Sequence, residues 1–205
     1  MSTIVLAGGV LAQAVAWWLV ARRRLPFWPA TSVTFAILGV AAAFVLPDGC
    51  CPFRISALAV GIASGLALFI ATRGAVRPLR RIAPFAASVA GAYRRAEETP
   101  SVAVWVLTLA IAVPGEEIFW RAFVLPELQD ATSVVVGAVL AWVGYVAVNA
   151  LGGELALLIA AVVCGAAWTI LGAYDPLVAP LSSHLLWTAL MLAWPPKPRR
   201  AKVTA

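Results

Sequence analysis

Long apolar runs are the feature that most constrains how this chain can fold. A helix needs roughly 17 to 25 mostly apolar residues to cross the hydrocarbon core of a bilayer. The runs are apolar on every side and do not alternate, which argues against the strands of a membrane barrel. We predict membrane helices at Ile4–Ala21, Ala30–Leu46, Ile55–Thr72, Ser101–Pro114, Thr132–Ala150, Leu155–Tyr174 and Leu177–Trp194. The fourth run is short unless its helix continues past Pro114.

The composition also favours a membrane protein over a soluble one. Of the 205 residues, 63% are hydrophobic and only 12% are Asp, Glu, Lys or Arg, whereas a soluble domain carries roughly a quarter charged residues. We therefore predict an all-α fold, a polytopic transmembrane helical bundle with about seven membrane helices. Residues 1–195 are expected to form one integral membrane domain, and residues 196–205 a basic cytoplasmic tail.

The distribution of basic residues predicts the orientation of the chain. Thirteen of the 15 Lys and Arg residues lie at 22–24, between 73 and 95, and in the tail. Seven crossings bring these three groups to one face, which the positive-inside rule makes cytoplasmic, with the amino end outside and the carboxyl end inside. Topology thus accounts for the net charge of +6 better than binding of nucleic acid or an anionic ligand, and no nucleic-acid partner is expected.

The longest connection and the cysteines carry weaker signals. Residues 73–100 have Arg-rich ends around an apolar middle, so this segment fits an interfacial helix as well as it fits a plain basic loop. Cys50, Cys51 and Cys164 have no metal-binding spacing, and one histidine cannot build a usual zinc site. We interpret the cysteines as ordinary small residues and expect neither a metal nor another cofactor.

An acidic pair, Glu116 and Glu117, directly follows the fourth apolar run. Ionisable residues at membrane depth are rare and are candidates for a functional site. On a helix, Glu117 and Arg121 are four residues apart and share a face, so that each can neutralise the other. Glu116 is rotated about 100 degrees away and has no such partner, which suits a general base. Because Pro114 and Gly115 precede the pair, a solvated loop is the second interpretation.

Three polar residues in later apolar runs are further candidates. His184 is the only histidine, and Thr188 follows it one turn later on the same helical face. A lone histidine in a helix also fits a packing or hydrogen-bonding role. Asn149 ends the fifth run, where its amide can donate to a substrate carbonyl or cap the helix before Gly152.

Together these residues resemble the CAAX protease and bacteriocin-processing family of intramembrane proteases, which includes bacterial abortive-infection proteins. EEIFWR, residues 116–121, fits the first family motif, E-E-x-x-x-R. Y-V-A-V-N, residues 145–149, lies at the spacing of the second motif, F-x-x-x-H, and H-L-L-W-T, residues 184–188, lies at that of the third. The resemblance covers about residues 100–192 and implies a protein of the bacterial plasma membrane.

The resemblance implies an intramembrane endopeptidase of the CAAX prenyl protease type. Glu116 is then the base that activates a water for attack on a peptide bond at the membrane, and Glu117 and Arg121 are its supporting pair. His184 and Thr188 belong to the site that stabilises the oxyanion. The implied partners are the bilayer and a peptide or protein substrate, with or without a lipid modification.

Two positions depart from the family pattern. Asn149 stands where the family usually has histidine, and an amide can orient a water but cannot carry a proton. Thr188 stands where asparagine is common, and it keeps a hydroxyl donor. Asn149 is still counted among the catalytic candidates. Its departure from the pattern motivates an alternative function, that of a catalytically weak or inactive member that binds a membrane protein partner.

The predicted topology puts Glu116 deep in the membrane. A helix that starts at the cytoplasmic face at Ser101 reaches Glu116 after about 22 Å, at about 1.5 Å per residue, in a hydrocarbon core of about 30 Å. Cleavage of a cytosolic substrate would then need a water-filled cavity of that depth or different helix boundaries. If neither holds, the substrate is not a cytosolic one.

Overall fold

A computed structural model describes residues 2–196, and every regular element in that range is a helix. The predicted all-α class is therefore confirmed for these residues. Most of the basic tail predicted at 196–205 lies outside them. The eight helices are α1 (Ser2–Ala21), α2 (Phe27–Ala43), α3 (Ile55–Leu79), α4 (Ala83–Glu97), α5 (Ser101–Ala131), α6 (Val134–Ala150), α7 (Leu155–Tyr174) and α8 (Val178–Ala193).

Each of the seven predicted apolar runs corresponds to a helix, although up to three residues at the end of a run, as at 44–46, lie outside it. Helices α1, α3, α5 and α7 are long and apolar enough to cross a membrane. Helices α2, α6 and α8 are also apolar but contain only 16 or 17 residues. Such a set of helices makes the chain an integral membrane protein, while the number of crossings stays a prediction.

Helix α5 is longer than predicted, because it continues past Pro114 and through the acidic pair to Ala131. It contains two π-helical segments, Val106–Ala112 and Ile118–Val124, and each ends two residues before a proline. A π-turn widens the helix and so accommodates a proline that would otherwise clash with the preceding turn. The interpretation of the acidic pair as part of a solvated loop is therefore wrong.

The connection at residues 73–100 is largely helical. Helix α3 extends beyond its predicted end at Thr72 to Leu79, and α4 follows it with a proline in its first turn, where proline favours helix initiation. Phe85 and Val89 of α4 are buried and pack toward the start of α7. Of the two interpretations, the plain loop is wrong, whereas a position of α4 along the headgroups stays a prediction.

Two glycines let neighbouring helices approach closely enough to form a polar site. A Cβ at Gly65 of α3 would lie 2.7 Å from a backbone oxygen of α8, one residue before His184. A Cβ at Gly115, one residue before Glu116, would collide with the backbone of α2 at Phe35. Small residues commonly permit such contacts between membrane helices. Helix α3 thus positions α8, and α2 positions the middle of α5.

Candidate functional site

Glu117 is the centre of a buried polar cluster formed by α5 and α8. Its Oε1 lies 2.7 Å from Nδ1 of His184, and its Oε2 lies 3.6 Å from Nε of Arg121. The Glu117 and Arg121 side chains are 0% and 2% exposed. The expected pair on one helical face is present, and the fold adds His184, 67 residues further along the chain.

Arg121 is held by more than its carboxylate partner. Its Nη2 donates to the carbonyl oxygen of Gly165 in α7 at 3.3 Å. Its Cζ lies 4.4 Å from the centre of the Tyr145 ring and 5.9 Å from that of Trp168. A guanidinium over aromatic faces gains electrostatic stabilisation where water is absent. Arg121 thereby connects α5 to both α6 and α7.

The imidazole of His184 is fixed in orientation by two neighbours. The Trp168 ring stacks on it with a centroid distance of 3.6 Å and an interplanar angle of 17°. Because an ionised carboxylate only accepts hydrogen bonds, Nδ1 of His184 donates its proton to Glu117 in their 2.7 Å contact. The second ring nitrogen, Nε2, is consequently the one left for another partner.

Glu116 and His184 line a common cavity of about 200 Å³, and Asn149 and Thr188 line it too. We call it the acidic cavity. Glu116 is 9% exposed, and Tyr145 of α6 lines the same cavity. Helices α5, α6 and α8 therefore bring four of the six predicted site residues to one space. The other two, the ion pair of α5, support His184 from outside the cavity lining.

Asn149 and Thr188 use their polar atoms differently. Nδ2 of Asn149 donates to the carbonyl oxygen of Tyr145, one turn earlier in α6, at 2.9 Å, so one of its two N–H groups is engaged. Oγ1 of Thr188 is buried and has no hydrogen-bond partner within residues 2–196. Thr188 thus retains a hydroxyl that can donate to a molecule in the cavity.

The acidic cavity extends from Glu116 toward α4. Its lining includes Ala92 and Arg95 of α4 and Trp28 in the first turn of α2. Nε1 of Trp28 donates to the carbonyl oxygen of Arg95 at 3.4 Å, close to the turn that leads into α5. The cavity therefore extends from near the start of α5 to Glu116. Such a cavity is what a catalytic group deep in the membrane needs to be reached by water and substrate.

A second cavity of about 300 Å³ lies beside the first and beneath α4. We call it the apolar cavity, because its walls from α3, α4, α7 and α8 are almost entirely hydrocarbon, as at Leu68, Phe85 and Met191. Trp187 and Thr188 line both cavities. The two spaces are therefore neighbours that share one wall.

The cysteines lie apart from the acidic cavity. Sγ of Cys50 and Sγ of Cys51 are 3.0 Å apart in the connection between α2 and α3, and Cys164 is buried beside the apolar cavity. Within residues 2–196, no three His, Cys, Asp or Glu side chains gather in a way that could hold a metal ion.

Two residues on the wall of the acidic cavity, Trp168 and Thr108, were not predicted from the sequence. Trp168 stands within a uniformly apolar run, and Thr108 is a single hydroxyl in another such run. No local spacing distinguishes them from residues that only fill the core. They become candidates only once the helices are packed.

Residues 98–190 match the model of a family described as type II CAAX prenyl endopeptidase, Rce1-like. This segment is a little under half of the chain, and it contains every candidate residue from Glu116 to Thr188. The resemblance predicted for residues 100–192 is therefore confirmed. No curated protein and no solved structure matches the chain.

Proposed function

We propose that the protein is an intramembrane endopeptidase, because residues 98–190 match the type II CAAX prenyl endopeptidase Rce1-like family. It cleaves a peptide bond at or within the membrane with a water that Glu116 activates. The observation that carries the proposal is the acidic cavity, in which Glu116 and His184 face the same space. A carboxylate there can exchange a proton with a water and with a leaving amine.

Hydrolysis proceeds in two steps from these groups. Glu116 takes a proton from the water while the water oxygen forms a bond to the carbonyl carbon of the substrate. Nε2–H of His184 and the hydroxyl of Thr188 stabilise the negative charge on the former carbonyl oxygen, and such donors are typically worth about 3 kcal/mol each. The C–N bond then breaks, and Glu116 gives its proton to the leaving amine.

Glu117 is a positioning residue for His184 rather than a group that touches the substrate. Its contact to Nδ1 directs Nε2 away from the carboxylate. When both nitrogens of His184 carry protons, the charges of Glu116, Glu117, Arg121 and His184 sum to zero. A cluster without net charge is far less costly at membrane depth than an unbalanced one.

The apolar cavity supports a substrate that carries a hydrocarbon chain. Its walls are almost entirely hydrocarbon and offer little to a polar group, whereas burial of an alkyl chain contributes about 0.8 kcal/mol per CH₂. Because Trp187 and Thr188 line both cavities, a chain in one would hold its peptide beside the other. We therefore propose a lipid-modified peptide as the substrate.

The proposed orientation has the α4 side of the bundle facing the cytoplasm. Arg80, Arg81 and Arg94 lie in α4 or in the turn before it, and Arg73 lies near the end of α3; clustered basic residues favour the cytoplasmic face. The acidic cavity reaches α4 at Arg95, so peptides would enter from the cytoplasm. Reporter fusions after residues 50 and 98 test this orientation, with the second fusion expected inside and the first outside.

Cleavage by purified protein in lipid nanodiscs tests the proposed activity. The substrate is a fluorogenic peptide, prepared with and without a prenyl group. The variants are Glu116→Ala and His184→Ala, and Glu127→Ala is the matched control, because Glu127 lies on the same helix as Glu116 but outside both cavities.

We expect wild type and Glu127→Ala to cleave the prenylated peptide at similar rates. Loss of a general base typically lowers the rate about 100- to 10,000-fold, so Glu116→Ala should be nearly inactive, and His184→Ala should be strongly impaired. Equal rates for all four proteins would remove Glu116 and His184 from the mechanism.

A second candidate function, that of a non-catalytic member that binds a membrane protein, is favoured by one observation. Asn149 cannot carry a proton, and one of its N–H groups is already bonded to the carbonyl of Tyr145. If Asn149→His creates cleavage that the wild-type protein lacks, this second function is the better description. Robust turnover by the wild-type protein would reject it.

A further inference from the structure

Two threonines that line the acidic cavity do not donate a hydrogen bond from their hydroxyl to a backbone carbonyl of their own helix, although other helical threonines of this protein do. Thr31 and Thr169 donate to the carbonyl four residues earlier, at 2.9 and 2.8 Å. The Oγ1 atoms of Thr108 and Thr188 are buried and have no hydrogen-bond partner among the described residues. Both threonines line the acidic cavity. Thr188 already has a proposed role, whereas Thr108 has none.

Thr108 lies in a part of α5 with unusual local winding. Thr108 lies in the π-helical segment Val106–Ala112, where its own carbonyl accepts from the N–H of Val113, five residues later. In a regular α-helix a threonine hydroxyl reaches back to a carbonyl three or four residues earlier. The hydroxyl of Thr108 makes no such bond, so it is not consumed by its own backbone.

An unpaired hydroxyl at this depth is costly unless a ligand uses it. A buried hydroxyl without a partner has lost its hydrogen bonds to water and gained none in return. The wall of the acidic cavity around Thr108 is otherwise apolar, with Ala112 and Val113 one turn away. An alkyl chain would leave the hydroxyl unpaired, whereas the backbone carbonyl of a peptide would accept its hydrogen bond.

We propose that Thr108 is a substrate-binding residue whose hydroxyl donates to a backbone carbonyl of the bound peptide, an inference that rests on the proposed endopeptidase function. Thr108 precedes Glu116 by eight residues, which is about 12 Å along a helix. An extended peptide advances about 3.3–3.6 Å per residue. The carbonyl that Thr108 binds therefore belongs to a residue about three or four positions from the cut bond.

The steady-state kinetics of Thr108→Val, Thr108→Ser and Thr31→Val test this subsite in nanodiscs. Valine keeps the shape of threonine and removes the hydroxyl, and serine keeps the hydroxyl. Thr31 is the matched control, because it also lies beside the acidic cavity but donates to its own helix backbone. A lost hydrogen bond of about 1 kcal/mol corresponds to about a fivefold change in affinity.

We expect Thr108→Val to raise KM about fivefold with kcat unchanged, and Thr108→Ser and Thr31→Val to behave like wild type. With peptides shortened stepwise from each end, the difference between Thr108→Val and wild type should vanish once about three residues remain beyond the cut on one side. The subsite is overturned if Thr108→Val matches Thr31→Val, or if only kcat falls.

A binding measurement separates failure of the subsite from failure of the proposed function. The same prenylated peptide is titrated against Glu116→Gln, with and without Thr108→Val. If the wild-type protein does not cleave but Thr108→Val weakens binding about fivefold, the protease proposal fails and the subsite stands. If Glu116→Gln binds no peptide, or if Thr108→Val leaves binding unchanged, the subsite fails. Thermal unfolding of each variant identifies misfolded protein, in which case Thr108→Ala replaces Thr108→Val.

Discussion

The acidic cavity and the apolar cavity lie side by side under α4 and differ in almost every chemical respect. The first contains the Glu116 carboxylate, the His184 ring and free hydroxyls, supported by a buried ion pair. The second is about half as large again and its walls are almost wholly hydrocarbon. Seven residues line both cavities, among them Trp187 and Thr188. A single bundle thus keeps a polar site apart from a space suited to an alkyl chain while leaving them in contact.

The polar groups of one cavity and the hydrocarbon walls of the other are stabilised by different interactions. The acidic cavity depends on charge balance, since the Glu117 carboxylate and the Arg121 guanidinium are both buried and compensate each other. The apolar cavity depends only on shape and hydrocarbon contact. A substitution at a residue that contributes to only one cavity should therefore leave the function of the other cavity unchanged, and three variants test this separation.

The largest effect is expected from Arg121→Met, which removes the cation that compensates Glu117. Breaking one partner of a buried ion pair typically destabilises a protein by about 3–5 kcal/mol. Thermal unfolding in detergent should therefore show a large drop in Tm, and cleavage of lipidated and unlipidated peptides should fall together.

Arg54→Met is the control for this variant. Arg54 is about half exposed and lies 4.0 Å from Asp175, whose Oδ1 also accepts from the backbone N–H of Val178 at 2.7 Å. Asp175 is itself buried, but its Oδ1 accepts from three backbone N–H groups, those of residues 177–179, so loss of the half-exposed Arg54 should lower Tm clearly less than loss of Arg121. Equal losses in both variants would contradict the charge-balance account of the acidic cavity.

An intermediate effect is expected from Ala156→Phe, which fills part of the apolar cavity only. Displacing two or three CH₂ groups of a bound chain costs about 2 kcal/mol, so KM for the lipidated peptide should rise more than tenfold. KM for the unlipidated peptide should stay unchanged. Ala63→Phe is the control, since Ala63 is exposed and lines neither cavity. An equal rise for both peptides would mean that the cavities are not separate in function.

The smallest effect is expected from Arg95→Gln, at the α4 end of the acidic cavity. Arg95 and Glu154 are paired at 2.8 Å, with 32% and 25% of their side chains exposed. This pair is only partly buried, and pairs that water still reaches contribute about 1 kcal/mol or less, so Tm should fall less than in Arg121→Met and cleavage should change little. A loss as large as that of Arg121→Met would show that α4 is essential to the polar site.

Much of the fold follows from the sequence, because apolar run length is itself the physical cause of a membrane helix. Each of the seven runs corresponds to a helix for that reason. The Glu117–Arg121 pair also follows, since a spacing of four residues places two side chains on one helical face. The continuation of α5 past Pro114 was left open, because the π-helical segment that accommodates the proline has no sequence signal.

The rest of the candidate site depends on how the helices pack. Contact between Glu117 and His184 requires α8 to lie against α5, and that position is set partly by the glycine contact of α3 with α8. The stacking of Trp168 on His184 likewise joins two helices. Spacing within one helix cannot indicate such contacts, and the roles of all these residues in catalysis stay predictions.

The most direct test of the account is whether position 116 can be reached by water through the acidic cavity. Glu116→Cys and Phe119→Cys are prepared without the native cysteines 50, 51 and 164, and each is treated in vesicles with a small charged thiol reagent. Phe119 is 0% exposed and lies in the apolar core. We predict that Cys at 116 is labelled, that a substrate peptide slows this labelling, and that Cys at 119 stays unlabelled. An inert Cys at 116, or one labelled at the same rate with and without peptide, would contradict the shared cavity as the place where the reaction occurs.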